Sequence, residues 1–372
     1  MERVDVVVIG AGVMGSATAR ALGERGVETV LLEQFELGHK RGSSHGPGRI
    51  FRIAYPEPLY VEMAQLSFDL WRGLEAAAGE ELLVTTGGID AGPVANLCAA
   101  ALDARGVPHE LLSPGDAAER FPSISFEGLD PILFQADAGV TRADRTVAAQ
   151  IRLAESSGVE VRDRTEVVAL TPDDDGVEVR TADGPGYRAR VAVVTAGSWA
   201  GPLLEGAGHR PGLQPILQTI AYFAPASPGA DEIPTFIEWG SPELVWYALG
   251  PAGVASGVKL GAHVGGRPID PSTGPFPPDE HLEHLLAEHI AQRFPGLIPE
   301  PLGPETCLYT MTPDEDFVLD RIGPLVIGAG FSGHGFKFGP LIGETLAALA
   351  TGREPAFDLG RFRLDRPSMR TT

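Results

Sequence analysis

The feature that most constrains this chain is a glycine turn set between a buried strand and a helix. Residues Val4 to Ile9 are an unbroken apolar run, as in a strand covered on both faces. Gly10-Ala-Gly12-Val-Met-Gly15 follows, then a predicted helix from Ser16 to Arg25 and a second apolar strand from Thr29 to Leu32. The first glycine permits a tight turn, the second lets the backbone approach a pyrophosphate, and the third lets helix and strand pack closely. Free N–H groups and the dipole at the helix N-terminus favour the anion. Glu33, ending the second strand, stands where a carboxylate binds ribose hydroxyls. This is the first unit of a doubly wound α/β sheet, and by itself it does not separate FAD from NAD.

Further buried strands are expected at Val191 to Thr195 and Leu325 to Ile327. Residues 82–142 and 214–315 have a different texture, with shorter β-like runs, prolines and aromatics, as in Pro234 to Trp239 and Leu244 to Tyr247. The expected organisation has two domains. Residues 1–81, 143–213 and 316–372 form a discontinuous nucleotide-binding domain. Residues 82–142 and 214–315 form a second, mostly antiparallel-sheet substrate domain.

A second glycine turn, Gly328-Ala-Gly330-Phe-Ser-Gly333, follows a strand and precedes a helix running to about Thr351. A separate NADPH site would need another complete unit, and the roughly twenty residues after that helix cannot supply one. The turn therefore reads as a nest and helix N-terminus aimed at the ligand held by the first turn.

Composition narrows the partners. Fifty acidic against 29 basic residues give a net charge of −21. Such a surface repels phosphate backbones and anionic lipid, so neither nucleic acid nor membrane is an expected partner. The two cysteines form no CxxC pair and no disulfide framework. No apolar run reaches membrane-helix length, no leader precedes the first strand, and Arg370-Thr371-Thr372 is not a peroxisomal tripeptide. A cytoplasmic location is expected. His281, His284 and Glu288 mimic metal ligands on one helix face, but an apolar stripe of Leu282, Leu285, Leu286 and Ile290 opposes them, so they are read as solvated and no metal is expected.

Gly330-Phe-Ser-Gly333-His334-Gly335-Phe-Lys337, with Cys307-Leu-Tyr-Thr310 and Thr312-Pro-Asp-Glu315, resembles the monomeric sarcosine oxidase family. That group includes N-methyltryptophan and pipecolate oxidases. Ser43-Ser44-His45-Gly46, Arg49-Ile-Phe-Arg52, Ala54-Tyr55 and Gly257-Val-Lys259-Leu-Gly261 with His263 agree, in the family's order and over nearly the whole chain. The resemblance implies a Rossmann-like FAD-binding domain and an oxidase of secondary amines that passes electrons to O2. It assigns Cys307 to the covalent bond with the flavin 8α carbon and Lys259 to oxygen activation. Arg52 and Lys337 would bind the substrate carboxylate, with Arg49 and His263 as further active-site residues. Gly10, Gly12, Gly15, Glu33, Ser43, Ser44, His45, Gly330, Gly333, His334 and Gly335 would hold FAD. A monomer acting on a small amino acid is expected.

The residues support these roles, with alternatives. A thiolate can add to the electrophilic 8α position, although free cysteine is usually just a small buried apolar residue, the reading given to Cys98. Strand alternation can turn Lys259 into a cavity. Two arginines at 49 and 52 are costly to bury without an anion, and a flavin plus a substrate carboxylate would supply one. Two departures touch the substrate pocket. Sarcosine-oxidising members carry a tyrosine at the position of Ala248, and Gly48 replaces a hydroxyl residue. Tyr247 is kept as a substrate-binding candidate, although alternation separates it from position 248. The departures put sarcosine itself in question, and whether the loss of bulk at Ala248 enlarges the pocket for a larger amine is left open. A pipecolate-like, N-methyltryptophan-like or biosynthetic cyclic-amine oxidase stays open as an alternative. An NAD-dependent dehydrogenase and a non-catalytic nucleotide-binding module are the readings from other classes.

Overall fold

The computed structural model describes residues 1–241, 244–253, 255–263 and 266–369; Arg370, Thr371 and Thr372 lie outside the described residues. Its described strands form three sheets of eight, nine and three strands. The eight-stranded sheet is centred on Glu2–Ile9, which pairs in parallel with Thr29–Leu32 on one side and Tyr187–Val194 on the other. Leu325–Ala329 adds in parallel to the far end of Tyr187–Val194, whose near end also carries an antiparallel ribbon, Gly176–Thr181 and Val167–Asp173. Nearly every side chain of these central strands is buried, as their apolar runs require where both faces are covered. The helices Val13–Glu24, Ala143–Ser156 and Gly339–Ala350 cover one face, and their alanine-rich and glycine-rich sequences allow close approach.

The nine-stranded sheet is mostly antiparallel. Its long pair, Gln214–Pro225 with Leu297–Met311, carries Val258–His263, then Leu244–Leu249 and Thr235–Ser241. Thr235–Ser241 then pairs in parallel with Gly88–Ala91, so both sequence excursions meet in one sheet. A separate core lies beneath it, where Phe236, Ala248, Leu260 and Phe223 pack on Leu286, Ile290 and Phe294 of the helix Glu280–Arg293. That core also buries charge the sequence did not announce. Glu238 accepts two bonds from Arg293, and His289 stacks on Trp246 with ring centroids 4.1 Å apart. The outer face of this helix carries His281 and an exposed His284–Glu288 pair. The third sheet is Gly48–Phe51, Gly139–Arg142 and Leu83–Thr85, and Arg49 and Ile50 of its first strand line the cavity.

Candidate active site

A single cavity of about 1190 Å³ runs from the first glycine turn to Lys337. It opens at the carboxyl ends of the parallel strands, where Ile9, Leu32 and Thr195 all contribute to its wall, the usual ligand position in an open α/β sheet.

At the cradle end the turn leaves no space for side chains. Gly10 has φ +97°, and a Cβ there would lie 2.6 Å from the Thr195 carbonyl oxygen; one at Gly15 would overlap the Gly10 carbonyl oxygen. Gly12 faces Ser44, whose hydroxyl accepts from the Val13 N–H at 3.0 Å and so ties the 43–46 loop to the helix start. Glu33 accepts from the N–H groups of Ala11 (2.9 Å) and Phe35 (3.0 Å) and faces His39 at 3.3 Å. Burial works to raise its pKa, but His39 and those two donors outweigh it and hold the carboxyl below its ordinary value. An ionised carboxylate, a turn with Gly10 at positive φ, a helix N-terminus and a long cavity fit the adenosine and pyrophosphate of a dinucleotide.

At the middle of the cavity lie Ser43, His45, Arg49, Lys259 and Cys307. Ser43 donates to the Leu308 carbonyl at 2.5 Å, joining this loop to the strand that carries the cysteine. Arg49 donates to the carbonyls of Gly48 (2.8 Å), Ser43 (3.0 Å) and His45 (2.5 Å) and acts as a clamp on its own loop. Burial, then the Arg49 charge, drives His45 down to about 4, so the ring is neutral at physiological pH. Lys259 is 5% exposed, and burial followed by Arg49 lowers it to about 7. Its Nζ lies 3.4 Å from the Gly48 carbonyl oxygen.

The second glycine turn differs from its sequence reading. Gly330, Ser332 and Gly333 all have positive φ and line the cavity as a nest, but the α-helix begins only at Gly339, after a short 3-10 turn at Phe336–Phe338. Gly339 packs on Val13 instead of facing the ligand. The nest, and not the helix end, presents backbone to the cavity. A side chain at Gly333 would collide with the Tyr309 ring.

The far end is a cluster of buried charges and rings. Arg52 has its anion inside the protein, which corrects the expectation that a flavin or a substrate must supply one. Asp90 Oδ1 lies 3.2 Å from its guanidinium and also accepts from Trp239 Nε1 at 2.9 Å. Burial raises the Asp90 carboxyl, while Arg52 and Trp239 oppose the rise; Arg52 itself does not give up its proton. Tyr55 lies under the guanidinium at 4.3 Å. Lys337 is 5% exposed and donates to the Tyr55 hydroxyl (2.9 Å) and the His334 carbonyl (2.7 Å). Burial, then Arg52, holds it well below its ordinary value. His263 faces Glu315 at 3.6 Å at the cavity wall.

The question left open at Ala248 is answered by its position. Ala248 is fully buried in the core beneath the nine-stranded sheet and does not line the cavity. It pairs with Leu260, whereas Tyr247 pairs with Gly261, between Lys259 and His263. Residues paired across a sheet share a face, so Tyr247 joins the two cavity residues. The missing side chain of Gly261 makes room for the ring, because a Cβ there would fall inside it. The Tyr247 hydroxyl lies 3.3 Å from that of Tyr309. Asp90, Trp239, Tyr55 and Tyr309 were given no role from the sequence. The one available signal was an aspartate inside a short apolar strand, Gly88–Ala91, where a charge needs a partner.

Residues 5–349 match the FAD dependent oxidoreductases. The chain belongs to that family. Within it, the relatives include sarcosine oxidases. The mouse "Peroxisomal sarcosine oxidase" is 36% identical over 97% of this chain and 96% of its own length. The "Monomeric sarcosine oxidase" of Bacillus sp. (strain NS-129) is 34% identical over 98% and 97%. Among solved structures, the open form of NikD, "an unusual amino acid oxidase essential for nikkomycin biosynthesis", superposes with a TM-score of 0.86 at 29% identity, covering 98% of both chains. The protein is thus an FAD-dependent oxidoreductase of the sarcosine oxidase type, with an α/β fold. Among the described residues no helix is long and apolar enough to cross a membrane.

Proposed function

We propose that this flavoprotein oxidises the C–N bond of a small secondary amino acid, N-methyl or cyclic, to an imine that water hydrolyses. Electrons pass to O2, giving H2O2. The observation that carries the reading is the pair of buried basic side chains, Arg52 and Lys337, at one end of the cavity of a strongly acidic protein. Asp90 pairs with Arg52, and the acceptors bonded to Lys337 are uncharged, so a substrate carboxylate would supply its charged partner. Sarcosine is the simplest substrate. The names of the relatives favour it, and cyclic amino acids stay open as the alternative.

FAD supplies the two-electron acceptor. Gly10, Gly12, Gly15, Glu33, Ser44 and the Gly330–Gly335 nest would hold it, and Cys307 would bond it covalently. Arg52 and Lys337 orient the substrate by its carboxylate. Tyr247, Tyr309, Trp239 and Tyr55 wall the space in rings that exclude water from the reacting carbon. Lys259, held by the Gly48 carbonyl, places an ammonium where oxygen would gain negative charge. The domain division 1–81, 143–213 and 316–372 against 82–142 and 214–315 belongs to the same reading. So does a monomer in the cytoplasm.

Anaerobic mixing of the yellow enzyme with sarcosine, pipecolate, N-methyltryptophan and their decarboxylated amines tests it. Bleaching by at least one amino acid, and not by its decarboxylated amine, is expected. Equal bleaching by both would remove the carboxylate site. For the covalent bond, acid-precipitated protein should stay yellow, and Cys307→Ala should release the colour.

A further inference from the structure

An amino acid arrives as a zwitterion, but its C–N bond is oxidised only from the free amine. A proton must therefore leave the substrate inside a site with little access to water. We infer that Lys337 accepts this proton: it is a neutral amine in the free enzyme and becomes the ammonium that holds the carboxylate. This rests on the amino-acid oxidase reading and adds the proton's destination.

The geometry of Lys337 carries the inference. Its main chain is pinned, because the carbonyl accepts from Ser67 Oγ at 2.6 Å and from Trp71 Nε1 at 2.8 Å. The side chain is 5% exposed, so it cannot turn out to solvent. Two acceptors lie within hydrogen-bond distance of Nζ, the Tyr55 hydroxyl and the His334 carbonyl, and both are uncharged. A neutral amine has two N–H groups and one lone pair. Those two acceptors match the two N–H groups, and the remaining position faces the cavity that Lys337 lines. A third proton finds its acceptor only when a carboxylate enters.

The groups next to Lys337 are poorer acceptors. His334 uses both ring nitrogens, Nε2 toward the Glu315 carbonyl at 3.1 Å and Nδ1 toward the Tyr55 hydroxyl at 3.3 Å. A donor at Nε2 leaves Nδ1 to accept from Tyr55, so bonds run from Lys337 through Tyr55 to His334 in one direction. Burial holds His334 well below its ordinary value and raises Tyr55. Arg52 is the cation facing Lys337, and Asp90, the carboxylate facing it, is already bonded to Arg52 and Trp239. Burial and Arg52 keep the empty-site lysine easy to deprotonate, and a bound carboxylate reverses the balance.

The step balances. The substrate N–H bond breaks with its electron pair left on nitrogen, and an Nζ–H bond forms. No electron is transferred. The substrate changes from zwitterion to anion while Lys337 gains one positive charge, so the buried end keeps its net charge.

The test uses the flavin-loaded enzyme and two carboxylates that cannot be oxidised there. Propionate has no nitrogen. 2-Aminoisobutyrate carries an ammonium but no hydrogen on the carbon beside it. Binding is read from the shift of the visible flavin spectrum and proton exchange from an indicator dye in weak buffer. Propionate should take up about one proton per molecule bound, and its Kd should rise roughly tenfold per pH unit between the free and liganded values of Lys337. 2-Aminoisobutyrate brings its own proton, so it should exchange none and bind with a flat pH dependence over that range. Lys337→Arg, charged in both states, should still bind propionate but without proton uptake. No uptake by the wild-type enzyme, or uptake undiminished in Lys337→Arg, overturns the assignment while the oxidase reading stands. If neither ligand perturbs the flavin, the carboxylate site is misplaced and both readings fall. Should the variant not fold, the contrast between the two ligands on the wild-type enzyme decides.

Discussion

The two ends of the cavity recognise their ligands by opposite means. The cradle is made of backbone: positive-φ glycines, the start of the helix Val13–Glu24, and one carboxylate, Glu33, itself held by main-chain N–H groups. Most of it comes from residues close in sequence. The substrate end is made of side chains from far apart in the chain, with Arg52, Asp90, Trp239 and Lys337 arriving from four separate segments. A backbone site should tolerate almost no added atom and many changes of charge nearby. A side-chain site should respond the other way round.

The largest expected effect is at the cradle. Gly15→Ala puts a methyl group on the Gly10 carbonyl oxygen, where no side-chain movement can relieve it. The strand and the helix must then separate. We expect no flavin retention and little folded protein, read from visible absorbance and circular dichroism of the purified chain. A yellow, folded Gly15→Ala would break the contrast outright.

Asp90→Asn should act in the reverse manner, by charge without bulk. The amide can still accept from Trp239, but Arg52 loses its buried counter-ion, a change that costs about 3–5 kcal/mol when it leaves a charge unpaired. The urea midpoint should fall while the flavin stays bound. The freed guanidinium should also bind carboxylates such as propionate more tightly. An unchanged midpoint would mean that water, not Asp90, balances Arg52.

Ala248 and Tyr247 bring the same contrast down to adjacent residues. Ala248→Leu adds bulk to a filled core among Phe236 and Leu260 and should cost about 1–3 kcal/mol. It should leave the order of substrate preference untouched, as judged by kcat/KM over the amine panel. A changed preference without loss of stability would return position 248 to the pocket.

What could be read from the sequence follows the same division. The strand, turn and helix at residues 4–25 were legible because their signals are local: an apolar run, spaced glycines, then helical spacing. Lys259 was picked out by the family resemblance, and alternation on its strand, also a local signal, only allowed it to face a cavity. Arg52 was found, but its partner was not, since Asp90 reaches it only through the packing of two different sheets. Tyr247 was kept while its facing was misjudged for a related reason. Alternation says that residues 247 and 248 oppose each other, but only the pairing of Tyr247 with Gly261 says which one faces Lys259. The second glycine turn was correctly placed at the cavity, yet its helix starts six residues after Gly333, because a 3-10 turn intervenes.

The smallest effect is expected from Tyr247→Phe. The change removes one hydroxyl and keeps the ring that fills the space over Gly261. What is lost is a 3.3 Å contact between two phenols, a long neutral hydrogen bond worth no more than about 1 kcal/mol. Tyr247 is pushed up to about 12, mainly by burial, so it does not ionise near neutral pH and no charge disappears with the hydroxyl. Stability should therefore move by less than about 1 kcal/mol, and the pH profile of flavin reduction should keep its shape. A few-fold fall in kcat/KM is the expected activity change, from looser positioning of Tyr309, whose ring also packs near His263 and Gly333. Tyr309→Phe should produce a similar fall, and the double variant no more than either single, because both remove the same contact. Losses that add would show that each hydroxyl touches the substrate separately, making this wall of the pocket a polar recognition surface in its own right.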